Sequence, residues 1–105
     1  MKAIQFCVYR VTGLRSGSAV DLAVVLQDDT VAHLTTRVVA PLIEIGAEAE
    51  AVKMTPAVEI GDTRYMIATH LLTTIPVRNL GTLVANLEDH DRAIKNAVDL
   101  LFFGV

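Results

Sequence analysis

The C-terminal segment of this 105-residue chain carries its clearest local pattern, and that pattern is helical. From Glu88 onward, apolar residues recur at intervals of three and four, at Ile94, Ala97, Val98, Leu101 and Phe102. This spacing places them on one face of an α-helix. Acidic residues from Glu88 suit the start of a helix, Asn86 or Asp89 could cap it, and Gly104 stands where a helix stop belongs. A single terminal helix must therefore pack on whatever the preceding residues form.

The residues before this helix consist of short runs of strand length. Aromatic and β-branched content, together with Gly, Asp and Pro punctuation, predicts strands at residues 5–9, 21–27, 37–42, 57–60, 63–69 and 76–80. Gly61 and Asp62 predict a two-residue hairpin turn. Pro41 predicts that its strand ends at a sheet edge, and Gly81 that the last strand stops.

Three other segments complete this local analysis. Residues 12–18 are predicted to form a loop because of their Gly and Ser content, and residues 28–30 a turn. Residues 43–54 combine helix-favouring Ala and Glu with Gly46, and we interpret them as an irregular excursion whose glutamates face solvent. The fold class is therefore mainly β with one C-terminal helix.

The composition predicts an oligomer. Hydrophobic residues make up 52% of the chain, and the mean hydropathy is +0.47. Ordinary domains contain about 45–50% apolar residues even when glycine is counted. Without repeats or linkers the chain is expected to form one domain over residues 1–105, and a homo-oligomer is the simplest way to bury the excess.

Charge and cysteine usage exclude several classes of function. The net charge is −3 and no basic run is present, so direct binding to nucleic acid driven by charge is not expected. No apolar run approaches the ~20 residues that span a bilayer, and the N-terminus does not read as a signal peptide. A single Cys7 fits a reducing cytoplasm and is interpreted as a small buried hydrophobe.

No cofactor or metal site is predicted. His33, His70 and His90 lack metal-ligand spacing, and no phosphate-binding glycine loop is present. The charged run at residues 88–92 could suggest acid–base chemistry, but a solvated helix N-terminus explains it better.

The two aromatics of the last turn point in different directions. Phe102 shares the apolar face and is predicted to join the core, whereas Phe103 lies nine residues after Ile94 and so about 180° away. Phe103 and Val105 either tuck into a cleft or dimer seam, or form an exposed hydrophobic anchor for another protein. Spacing alone leaves both alternatives open.

Five motifs in order give the sequence a resemblance to the CcdB family of bacterial toxins. They are QFCVY at 5–9, RVVAPL at 37–42, PAVEIGD at 56–62, IPV at 75–77 and IKNAVDLLFFGV at 94–105. The last resembles a family tail that typically reads IKNA followed by Leu-Met-Phe-Trp-Gly-Ile.

This resemblance implies a specific biology. CcdB proteins are homodimers with an SH3-like small barrel or twisted antiparallel sheet and a C-terminal helix, and they are not enzymes. They are cytoplasmic toxins of plasmid-maintenance or chromosomal toxin–antitoxin modules, and they bind the A subunit of DNA gyrase and trap its cleavage complex with DNA. A CcdA-like antitoxin, disordered in part until bound, neutralises them. Toxin and antitoxin repress their operon together, with contact to DNA only through the antitoxin.

Carried over by position, the gyrase-binding residues implied here are Leu101, Phe103, Gly104 and Val105. Phe103 replaces the family Trp and Val105 the family Ile, so both apolar contacts are smaller. These departures leave open the alternative that the chain is a detoxified homologue that still dimerises and binds antitoxin. An endoribonuclease toxin of the MazF type, which shares the fold, is a further alternative. The segment 10–19 matches the family poorly, so antitoxin specificity is not implied.

Overall fold

A computed structural model describes residues 4–12, 14 and 21–105. The described strands are β1 (Cys7–Val11), β2 (Asp21–Val25), β3 (Thr36–Glu44), β4 (Ala57–Ile60), β5 (Thr63–Ile67), β6 (Thr73–Pro76) and β7 (Leu80–Asn86), followed by helix α1 (Asp91–Phe103). Short 3₁₀ turns lie at Asp29–Val31, Thr69–Leu71, Val77–Asn79 and Glu88–His90. Of the loop predicted at 12–18, only Thr12 and Leu14 belong to the described residues.

The strands form one curled antiparallel sheet in the order β4-β5-β3-β2-β1-β7. Strand β3 has two neighbours along the same edge, because β6 pairs with Thr36–Val39 and β5 with Leu42–Glu44. The result is a half-barrel with a single C-terminal helix, which confirms the predicted fold class. The homodimer remains a prediction.

Both faces of the sheet are covered, so the central strands contribute alternate side chains to two clusters. One cluster contains Cys7, Tyr9, Val11, Ala23, Val25, Val39, Ile75 and Leu80. The other contains Phe6, Val8, Val24, Ala40, Leu42, Val58, Ile67, Leu87 and Ile94. The period of two along β1 explains the division, since Cys7 and Val8 point to opposite faces. Cys7 is buried, as predicted.

Helix α1 packs on the second cluster through Ile94 and Ala97, which are fully or almost fully buried. Gly104 ends the helix in the left-handed conformation, with φ of 76°, and its N–H donates to the Leu100 carbonyl. The Asn86 Oδ1 accepts from the Glu88 N–H at 2.8 Å, an Asx turn that lies ahead of the 3₁₀ turn at Glu88–His90. The predicted helix and its stop are therefore confirmed, whereas the predicted cap by Asn86 or Asp89 is wrong, because His90 occupies the N-cap position of α1 and no side chain caps the helix there.

The predicted hairpin is also confirmed. β4 and β5 pair from Ala57–Met66 to Ile60–Thr63, and Gly61 turns the chain with φ of 61°. The excursion after β3 is irregular, as predicted, and Glu44, Glu48 and Glu50 are exposed. It is attached to the hairpin by Arg64, whose Nη1 donates to the carbonyls of Gly46, Ala47 and Ala49.

The prediction that Pro41 ends a strand at a sheet edge is wrong. β3 continues to Glu44, so Pro41 lies within the strand. It is buried and pairs with β2 along one edge of β3. Its carbonyl accepts from the Ala68 N–H at 2.9 Å, so its ring nitrogen faces the gap between β6 and β5. Proline has no N–H to donate, but in this gap no hydrogen bond between strands is lost. A central strand can therefore tolerate proline at this position.

The last strand was also misplaced. The predicted strand at 76–80 is replaced by the end of β6, a 3₁₀ turn and the start of β7, which extends six residues beyond Leu80. Gly81 lies inside β7 and does not end it. A Cβ at Gly81 would lie 3.2 Å from the Arg10 carbonyl oxygen, so glycine permits the close approach where the β1–β7 register shifts. β1 likewise begins two residues late, because Phe6 has φ of 67°.

Candidate protein-binding surface at the end of the helix

The last turn of α1 presents Phe103 to solvent. Phe103 is 76% exposed and Val105 77% exposed, the two highest values among the large hydrophobic side chains of the described residues. Leu101 is half-buried, and Gly104 turns the chain between Phe103 and Val105. All four predicted site residues therefore lie together at one end of the molecule.

The prediction that Phe102 joins the core is wrong, because its side chain is 59% exposed. Phe102 does extend the apolar face of α1, but the last turn of the helix reaches beyond the buried core. Below it the sheet leaves a groove instead of a filled layer. Periodicity gave the direction of Phe102 correctly and could not reveal that nothing covers it in the single chain.

The groove beside Phe102 has a volume of about 340 Å³. Its walls come from β3, β6 and α1 and from the residues that directly follow β2 and precede β6: Leu26, Gln27, Val38, Leu72, Thr74, Val98 and Phe102. None of these side chains carries a charge. Leu26 and Leu72 were missed by sequence analysis, since only the fold brings their separate segments together beneath the helix.

The two terminal aromatics touch each other but belong to different surfaces. Their ring centroids are 6.4 Å apart and the rings are inclined by 51°. Phe102 lines the groove, whereas Phe103 does not. The end of α1 thus offers one apolar side chain beside a concave surface and a second, more exposed one next to it.

The connection between β2 and β3, which borders the groove at Gln27, is held in place by a buried arginine. Arg37 is 3% exposed, and it donates from Nη2 to the Ala32 carbonyl and from Nη1 to the carbonyls of Leu34 and Thr36. Its Nε has no partner among the described residues. The Gln27 amide adds bonds to Val31 and Thr36. These contacts give the rim of the groove a fixed shape, which sequence analysis did not anticipate.

The other candidate groups do not assemble into a metal site. Within residues 4–12, 14 and 21–105, no group of three His, Cys, Asp or Glu side chains could hold a metal ion. At the helix start Glu88 and Asp89 are exposed, and Asp91 forms an ion pair of 3.6 Å with Lys95. His90 lies apart from the other histidines, in a shallow depression with Glu59 and Arg64. No helix in the described part of the chain is long and apolar enough to cross a membrane.

Solved structures share this fold at low sequence identity. An endoribonuclease in complex with its cognate antitoxin from a mycobacterial species is 17% identical, with a TM-score of 0.72 over 93% of this chain and 92% of that one. The Mycobacterium tuberculosis toxin MazF-mt6 is 19% identical, with a TM-score of 0.71 over 91% and 95%. MazE–MazF from Deinococcus radiodurans is 11% identical, with a TM-score of 0.73 over 98% and 97%.

The half-barrel with one terminal helix is thus a fold of toxins from toxin–antitoxin modules. Sequence comparison is more specific than the fold. A family model described as CcdB protein matches residues 5–104, so the chain belongs to the CcdB family. The resemblance drawn from the five motifs is confirmed.

These comparisons correct one prediction, that the protein is not an enzyme. A chain that shares the fold over nearly its whole length is described as an endoribonuclease, and another as a MazF toxin. The fold therefore accommodates RNA-cleaving proteins and cannot be used to exclude catalysis.

Proposed function

We propose that this protein is a toxin that binds the A subunit of DNA gyrase through Leu101, Phe103, Gly104 and Val105 and traps the gyrase–DNA cleavage complex. One observation carries the proposal. In a member of the CcdB family, the residues at the tail positions that the family uses against gyrase form an apolar turn whose Phe103 is 76% exposed.

The chemistry of this turn suits a protein target. An exposed aromatic ring contributes a large apolar area at a low cost in conformational entropy, and such residues dominate binding energy at interfaces. Gly104, in the left-handed conformation, directs Val105 away from the helix axis. The smaller side chains weaken each contact, since one methylene fully buried is worth about 0.8 kcal/mol.

The proposal includes three further features of the family. The protein acts in the cytoplasm as a homodimer, a CcdA-like antitoxin neutralises it, and the two repress their operon together through DNA contacts made by the antitoxin. A net charge of −3 is consistent with a toxin that does not itself hold DNA. A two-fold toxin would offer two copies of the terminal turn to a two-fold gyrase target.

The test is a supercoiling and cleavage assay with purified gyrase and plasmid DNA. We expect the full chain to inhibit supercoiling and to yield linear DNA, and a chain lacking residues 103–105 to do neither. Phe103→Ser should act like the truncation, and Phe103→Trp should lower the concentration needed. Leu83→Ser is the matched control, because Leu83 is also exposed, at 56%, but lies on β7.

The remaining outcomes separate the alternatives. If neither the full chain nor Phe103→Trp affects gyrase, the gyrase proposal is overturned. Activity of Phe103→Trp alone, with antitoxin binding kept in both forms, would identify a detoxified homologue. Incubation of the same preparation with single-stranded RNA tests the endoribonuclease alternative directly.

A further inference from the structure

We propose that the outer edge of β7 binds an extended segment of another polypeptide as an added antiparallel strand. The chemistry of the partner is specific: it carries an apolar side chain beside Leu83, basic residues at the N-terminal end of the segment and acidic residues at its C-terminal end. This edge is separate from the turn proposed to bind gyrase, and the inference does not depend on that proposal.

The first argument is that the edges of the sheet are protected unequally. Among the described residues, β4, β6 and β7 each pair along one side only. β4 and β6 span four residues each, and β4 carries the exposed Glu59 while β6 ends in Pro76. Short length, charge and proline are devices that keep a strand edge from pairing with another chain.

β7 lacks these devices. It spans seven residues, Leu80–Asn86, which include neither a charged residue nor a proline. Gly81, Thr82 and Leu83 are exposed, and the Leu83 side chain, at 56%, is the most exposed large hydrophobic side chain in the seven strands. The register shifts of β7 lie on the side that pairs with β1 and do not cover these three residues. The edge therefore offers backbone hydrogen-bonding groups next to an apolar side chain.

The second argument is that a strand edge determines the conformation of its partner. The N–H and C=O groups of the edge recur at a spacing that an extended chain matches. Added-strand binding takes its affinity from these backbone bonds and its specificity from the neighbouring side chains. All six strand pairs of this sheet are antiparallel, and antiparallel pairing is slightly more stable per residue. We therefore assign that direction to the partner.

The third argument is the distribution of charge along β7. At the first end of the strand, the exposed Arg78 comes two residues before it, and the exposed Arg10 lies on β1 beside Gly81. A Cβ at Gly81 would lie 3.9 Å from the Arg10 Cβ, so Arg10 leaves the sheet next to a position without a side chain. Beyond the other end, Glu88 and Asp89 are exposed. An antiparallel partner therefore needs basic groups at its N-terminal end and acidic groups at its C-terminal end.

A capped synthetic peptide tests this assignment. It alternates threonine and valine between two N-terminal lysines and two C-terminal glutamates, and the same peptide with the charges exchanged is its control. In titrations followed by NMR, the lysine-first peptide should shift the amide resonances of β7 and slow their hydrogen exchange, while β4 and β6 stay unchanged. The exchanged peptide should bind about tenfold more weakly, because like charges then meet at both ends.

Three results of this titration overturn the proposal. They are absence of binding, changes at β4 or β6 in place of β7, and equal affinity of the two peptides. A lysine-first peptide that is N-methylated at every threonine and valine keeps its side chains and loses its hydrogen-bond donors, so it should not bind. Binding by the methylated form would show that side chains alone hold the peptide, which contradicts an added strand.

Variants of the protein locate the contact. Leu83→Lys places a charge on the edge and should raise the dissociation constant of the lysine-first peptide at least about fivefold. Val52→Lys is the matched control, because Val52 is 57% exposed but lies outside the seven strands, and it should bind as the wild type does. Circular dichroism establishes that both variants are folded. Equal effects of the two substitutions would contradict a site on β7, and gyrase takes no part in any of these measurements.

Discussion

Cys7 shows how burial controls the chemistry of one residue. Its thiol is 3% exposed in β1, and burial raises its pKa, with smaller contributions in the same direction from the negative charges of Asp29 and Glu88. The neutral thiol is the form favoured in the folded state. Cys7 therefore acts as a small apolar side chain, and the nucleophilic thiolate is suppressed.

The raised pKa of Cys7 makes stability depend on alkaline pH. Above the ordinary thiol pKa of 9.0, the unfolded chain loses the Cys7 proton while the native chain keeps it. The stability that the protonated thiol contributes below that pH is therefore lost as the pH rises toward the native pKa. The free energy of unfolding should fall by at most about 1.4 kcal/mol per pH unit from this group.

Urea titrations between neutral pH and pH 10 measure this slope. Cys7→Ala keeps the other groups that titrate in this range, so only the difference between the two proteins reports on Cys7. Identical slopes for wild type and Cys7→Ala would contradict the assignment.

At the scale of elements, one side-chain hydrogen bond shapes the approach of the chain to helix α1. The Asn86 Oδ1 accepts from the Glu88 N–H at 2.8 Å and so starts the turn that leads into the helix. Asn86→Ala should lower the free energy of unfolding by about 1 kcal/mol, the usual net value of one hydrogen bond. Asn96→Ala, on the exposed surface of α1, should be neutral or slightly stabilising because alanine favours helices. Urea unfolding compares the two, and equal losses would refute a stabilising role of the Asn86 hydrogen bond.

Elements defined by neighbours in sequence were predictable, and those defined by tertiary contacts were not. The period of α1 and the turn at Gly61 are local, and both were found. β7 was missed because Gly81 resembles a strand stop, and only its approach to Arg10 explains why glycine lies inside a strand. Pro41 was misjudged because the gap between β5 and β6 is a property of the assembled sheet.

The candidate site likewise has a part that the sequence predicts and a part that depends on tertiary contacts. Angular arithmetic placed Phe103 about 180° from Ile94 and left open whether another surface covers it, and the folded chain leaves it 76% exposed. The groove could not be predicted, because its walls come from four separate parts of the chain. Phe102 was assigned to the core for this reason, since periodicity gives the direction of a side chain and not what lies opposite.

At the scale of the whole molecule, dimerisation should make thermal stability depend on concentration. A partner that binds only folded chains raises the melting temperature by mass action. A tenfold rise in wild-type concentration should raise Tm by about 3 °C for a domain of this size. A concentration-independent wild-type Tm, measured by calorimetry, would argue against the dimer.

The double pairing of β3 has a consequence for biosynthesis. β2 precedes β3 in the chain, whereas β5 and β6, which share its other edge, are both translated after it. A nascent chain that has just completed β3 therefore carries an open strand edge until the ribosome has added those later strands. Phe103 and Val105 follow all the described strands in the sequence, so a polypeptide released before them lacks the turn proposed to bind gyrase. By the time that surface has been translated, the described strands that close the sheet have already been made.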